Sequence, residues 1–155
     1  MAKFDAQRWA RYIRRHRNPL VVAGEGCTGL SLNGKGLIEY ALEVAEKLDC
    51  PVAATGNVLP AVKASSRRVK TKKIWLAELF RYLEGKWREP LVEKRPDLLL
   101  LVGYPPWQVQ GLVEGAGAIH VAHLGPGKLA CAQLSMEEIP LVEWKRALDD
   151  LMDAL

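Results

Sequence analysis

The stretch "DLLLLVG" at residues 97–103 constrains the fold more than any other. An apolar run of this kind, closed by glycine, has no wet face, so it reads as a strand buried on both sides. Such strands occur where helices pack above and below a parallel sheet. Two shorter runs end in the same way: "PLVVAGE", which opens at Pro19, and "PVAATG" at 51–56. Between the runs apolar residues recur at helical spacing, as in Leu37, Ala41, Val44 and Leu48, or Leu76, Leu79, Phe80 and Leu83. Leu141, Trp144, Leu148 and Leu151 mark a last helix begun at Pro140, and Val109, Leu112 and Val113 a shorter one. Residues 3–16 read as a basic helix with Ala6, Trp9, Ala10 and Ile13 on one face, whereas 57–72 read as loop or a short turn.

These alternations predict one α/β domain over residues 1–155. The expected architecture is three-layer, with helices on both faces of a mostly parallel sheet of about five strands. The strands fall at 20–24, 51–55, 97–102, 118–123 and 130–134. Right-handed crossovers lead to the order 2-1-3-4-5. A ligand crevice is then expected where the connections part, at the carboxyl ends of the first and third strands. Gly24, Glu25 and Gly26 would line it from one strand, and Gly103 and Tyr104 from the other. Thr55, Gly56 and Asn57 would flank it.

Those glycines open the segment "VVAGEGCTGLSLNGKG", which matches two nucleotide motifs at once. Gly24, Gly26 and Gly29 spell the dinucleotide fingerprint, but Ser31, Asn33, Gly34 and Gly36 delay the helix whose N-terminus should meet the pyrophosphate. The second strand also ends "AATGN", without the acid that holds the ribose. Gly29, Gly34 and Lys35 spell a phosphate loop, but Gly36 stands where a magnesium-binding Ser or Thr belongs. A long strand-to-helix loop with turn glycines is one remaining reading; a different flavin or dinucleotide geometry, with backbone N–H groups forming an anion nest, is the other.

Other chemistry is sparse. Cys27, Cys50 and Cys131 are odd in number and form no C-x-x-C pair, which argues against a disulfide scaffold or a thiolate-held metal and fits reduced thiols in a cytoplasm. Cys27 stands apart because it sits in the glycine loop. His120 and His123 would lie on opposite faces of a regular strand, so a metal pair is not expected. No nucleophile elbow, zinc-protease motif or paired-carboxylate pattern is present, so no catalytic residue and no metal ligand is nominated. "LGPGK" at 124–128 reads as a turn, with phosphate contact as the alternative. No apolar run approaches the roughly 18–20 residues of a membrane span.

The net charge of +4 is unevenly placed. Residues 63–73, "KASSRRVKTKK", hold six basic residues and no acid. No aromatic is interleaved there, which disfavours nucleic acid and leaves a solvated loop or a face for an acidic partner protein.

Several fragments taken together carry a resemblance. "NPLVVAGEG", a long helix, "CPVAATGNVLP", "DLLLLVGYPPWQVQGLVEGAG" and "AQLSMEEIPLVEWKRALDDLMDAL" are similar to the epsilon subunit of the archaeal acetyl-CoA decarbonylase/synthase (carbon monoxide dehydrogenase) complex, from about residue 15 onward. The resemblance implies a fold like the middle, NAD/FAD-binding-type domain of thiamine-diphosphate enzymes. It implies an accessory, non-catalytic subunit bound to a large nickel–iron–sulfur alpha subunit in a symmetric hetero-oligomer. That alpha subunit interconverts CO and CO2, and the whole complex makes or cleaves acetyl-CoA. No firmly bound cofactor is implied; FAD is the ligand considered, with a role in electron transfer. Trp9, Trp75, Trp87 and Trp107, with the basic residues, would then be docking anchors or core, and sequence does not divide them.

Overall fold

The computed structural model describes residues 4–88 and 94–155. Helix α1, Ala6–Arg14, begins where the Asp5 carboxylate accepts the Arg8 N–H at 3.1 Å, so it is shorter than the expected 3–16, and residue 3 lies outside the described residues. Its Trp9, Ala10 and Ile13 are buried, as their spacing predicts. Asp97 then accepts the N–H groups of Arg17 and Asn18, which fixes where strand β1, Pro19–Ala23, enters beside β6, Leu98–Val102.

Six strands form the central sheet. Strand β1 lies between β6 and β4, Val52–Ala54; β7, His120–His123, and β8, Leu134–Ser135, follow on the β6 side. The sixth is β5, Thr71–Lys73, outside β4. Every pairing in this sheet is parallel. Numbered along the chain, the order is 3-2-1-4-5-6, not the expected 2-1-3-4-5. The difference is the added edge strand, which arises in the segment expected to be loop. β5 has no apolar alternation to announce it; it is held by backbone bonds, Val52 N–H to Lys70 O and Ile74 N–H to Ala54 O. The last strand lies at Leu134–Ser135 rather than 130–134, because the chain turns just before it, with the Ala132 N–H donating to Leu129 O.

All five residues of β6 are fully buried, and the sheet separates two cores. Val21, Ala23, Leu98, Leu100 and Val102 face α1, helix α3 (Leu37–Leu48) and helix α7 (Leu141–Ala154). Leu20, Val22, Leu99 and Leu101 face helix α5 (Leu76–Glu84) and helix α6 (Pro106–Gly115). Burying each such aliphatic side chain is worth about 1.5–3 kcal/mol, which is why the continuous runs become the centre of the sheet. Helix α4, Leu59–Ala64, covers part of the first face through Val62. Pro140 caps α7 rather than opening it, and Tyr40 of α3 donates to Asp149 of α7 at 2.6 Å.

The 26–36 segment is not one long loop. It makes a single helical turn, α2 (Gly26–Gly29), and then an antiparallel hairpin of β2 (Ser31–Leu32) and β3 (Lys35–Gly36). Asn33 and Gly34 both have positive φ, 48° and 90°, which suits the two-residue turn of a hairpin. Among the described residues no helix is long and apolar enough to cross a membrane.

Candidate functional site

The parallel register sets the ends of β1, β4 and β6 side by side, so the residues expected to line and flank the crevice do meet. Gly24 donates its N–H to Val102 O at 2.8 Å, and Gly26 donates to Gly103 O at 3.1 Å. The loops after β1 and β6 are therefore in direct backbone contact. Gly103 has φ +84°, and a Cβ there would stand 2.8 Å from Cys27 Sγ. Gly56, at φ +55°, would press a Cβ onto the Glu25 side chain at 2.7 Å. Glu25, Gly26 and Asn57 are exposed; Gly24, Thr55, Gly103 and Tyr104 are buried.

Tyr104 closes the crevice. A Cβ on Gly24 would lie 2.6 Å from Tyr104 Cε1, so the room that this glycine leaves is taken by the ring. The Thr55 hydroxyl donates to Ala23 O at 2.9 Å and accepts from the Tyr104 hydroxyl. On the other side, His123 Nε2 donates to Tyr104 O at 2.8 Å. This line of contacts ties β1, β4, β6 and β7 together at their carboxyl ends. The ring takes the space over Gly24, while Glu25, Gly26 and Asn57 stay exposed beside it.

Burial decides the protonation of the groups in this line. It pushes the Cys27 thiol up to about 12, with the Gly24 backbone pulling weakly the other way. It raises the Tyr104 phenol, helped by the nearby Cys27 and Glu25. It lowers His123 below the usual imidazole range, although the Tyr104 and Gly127 backbones favour the charged ring. At neutral pH the three groups are therefore a thiol, a phenol and a neutral imidazole. None is primed as a nucleophile or an acid at that pH. His123 Nδ1 is buried and has no hydrogen-bond partner among the described residues.

The remaining motif residues are engaged elsewhere. Lys35 reaches Glu43 at 2.5 Å and lies over the Tyr40 ring, away from any phosphate role. In "LGPGK", Gly125 admits Trp144, whose Nε1 donates to Leu124 O at 2.8 Å, and Lys128 pairs with Glu137. His120 is exposed and meets the Tyr12 hydroxyl, on the opposite face from His123. Of the tryptophans, Trp9 and Trp144 are core, whereas Trp75 is 67% and Trp107 80% exposed. Leu141 and Val142, at 58% and 71%, are also on the surface. Leu141 and Trp144 line a hollow of about 310 Å³ with Pro105 and Pro106.

Sequence reasoning placed Tyr104 among the residues that line the crevice but not as the side chain that fills it, and it missed His123 as the group that holds it. The period-two parity of β7 is the only trace: it sends His123 to the face of Leu99 and Leu101. The Asn33-Gly34 pair is a recognised hairpin signal that the motif reading passed over. No family model matches the chain.

Proposed function

We propose that this chain is an accessory, non-catalytic subunit of a carbon monoxide dehydrogenase/acetyl-CoA synthase complex, the epsilon type that its sequence resembles. In that role it stabilises the large nickel–iron–sulfur alpha subunit and assists electron transfer in CO/CO2 interconversion. The observation that carries the reading is the filled switch point. Where an α/β sheet of this order would keep a ligand crevice, Tyr104 is packed over Gly24 and bonded to Thr55, and the reactive groups around it are held neutral. Function then shifts to the surface, where Trp75, Trp107, Leu141 and Val142 stand exposed. Exposed tryptophan is a favoured interface anchor.

The test is gentle anaerobic purification of the native protein from its source. Co-elution with a much larger nickel- and iron-containing polypeptide is expected, and elution of the chain alone would sink the reading.

The strand order favours a second reading. The arrangement 3-2-1-4-5-6 is that of dinucleotide-binding sheets, with its switch point between β1 and β6. A free-standing FAD- or NAD-binding module would use Gly24, Glu25, Gly26, Thr55, Gly56, Asn57, Gly103 and Tyr104, and would require the Tyr104 ring to swing out. Calorimetric titration with FAD and NAD decides it: saturable binding that Gly24→Ala abolishes supports the module, and no heat at millimolar ligand rejects it.

A further inference from the structure

Among the described residues the outer strand β5 is an open edge. Lys70 O and Ile74 N–H point inward to β4. With a period of two, Lys72 also faces β4, and the N–H and C=O groups of Thr71 and Lys73 face outward. β5 ends the sheet on this side. Around it the chain is basic: Lys63, Arg68, Lys70, Lys72 and Lys73 are exposed and make no ion pair among the described residues. Arg67, the sixth basic residue, is committed to Glu39, Glu43 and Glu46 on α3. Two residues beyond Lys73 stands the exposed Trp75, with Lys73 Nζ 5.8 Å from its ring centroid.

We propose that β5 is a docking edge for an extended, acidic segment of a partner protein, which adds to the sheet as a seventh strand. Its backbone would pair with Thr71 and Lys73, its carboxylates would face the lysines, and Trp75 would cover one end. Lysines on an edge strand ordinarily ward off pairing, and here they ward off a second copy of this chain, whose own lysines would be brought against them. An acidic strand meets the opposite situation. Nucleic acid fits less well, because the open edge presents alternating donors and acceptors, and a phosphate backbone offers only acceptors. The inference needs a protein partner, as the subunit reading does, but not the identity of that partner.

The test uses the full chain and three probes followed by NMR: the blocked peptide Glu-Val-Glu-Val-Glu-Val, the same peptide with Lys for Glu, and an oligothymidine of matched charge. The acidic peptide is expected to slow hydrogen exchange at the Thr71 and Lys73 amides at least tenfold and to give cross-strand contacts to them. The lysine peptide should leave both amides unchanged. The double variant Lys72→Glu/Lys73→Glu should weaken the acidic peptide at least tenfold with an unchanged far-UV spectrum. Tighter binding of the oligothymidine, or peptide binding that leaves both amides unprotected, or no peptide binding at millimolar concentration, overturns the proposal. Co-purification with a large subunit alongside any of these failures would leave the subunit reading intact and remove only this surface.

Discussion

Tyr104 and Gly24 form one packing unit, and each explains the other. Alanine at position 24 would force its Cβ to 2.6 Å from the ring and 2.8 Å from Gly103 O, so one of them must move. Overpacking of this kind costs about 1–3 kcal/mol. Tyr104→Phe keeps the ring and loses one hydrogen bond; Thr55 still donates to Ala23 O, so about 1 kcal/mol is expected. Urea unfolding of both variants checks the pair, and a neutral Gly24→Ala would mean that the ring is not seated there. His123 contributes to the acid limb of stability. Its folded-state pKa is lowered by burial, so the unfolded chain, at about 6.5, takes up the proton first as pH falls. The contribution of the neutral imidazole is complete above that value and is lost below it, at no more than about 1.4 kcal/mol per pH unit. His123→Gln should flatten the change in urea midpoint between pH 7.5 and 5.5; an identical slope in both proteins would assign the acid limb to other groups. The spacing of the chain put Tyr104 and His123 at strand ends, but not in each other's company, because a side chain's partners lie on strands far apart in sequence.

Helices were the most legible elements, since each carries its own periodicity. The stripes of α3, α5 and α7 emerge as buried faces except at their ends: Leu48 and Leu76 are half-buried, and Leu141 is exposed. Their limits were less legible, because a terminus depends on a single cap. Asp5→Ala removes the cap of α1 and is expected to cost about 1 kcal/mol, which lowers the melting temperature by about 2–4 °C for a chain of this length. Thermal unfolding followed by circular dichroism measures it, and no shift would mean that α1 does not depend on that cap. The β2–β3 hairpin and β5 were not legible from apolar pattern. The hairpin has two residues per strand and rests on the backbone of Asn33 and Gly34; β5 is solvent-facing, and its stability comes from bonds to β4. Patterning reports burial, and these elements bury little.

At the scale of the molecule, the sheet separates two cores, and the one under α1, α3 and α7 encloses two of the three thiols. Burial lifts Cys27 and Cys50 from 9.0 to about 12, which cuts their thiolate population about a thousandfold, whereas Cys131 is only partly buried. Iodoacetamide at pH 7.5 should therefore modify Cys131 first and reach the other two no faster than the fold opens. Mass spectrometry counts the adducts: one in native buffer and three in denaturant are expected. Prompt native labelling of Cys27 would show that the switch point is open.

The α/β class and the buried centre of the sheet were determined by the sequence itself. Continuous apolar runs and helical stripes are local, and hydrophobic burial acts on them wherever they fall. The neighbours of β1 also follow from chain connectivity and the hand of crossovers. What only the tertiary structure decided was the sixth strand and the content of the crevice. Edge pairing is a matter of backbone groups that every residue carries, so "KTKK" does not announce it. Whether glycines make room for a ligand or for a side chain depends on which residue arrives from another strand, and here Tyr104 arrives.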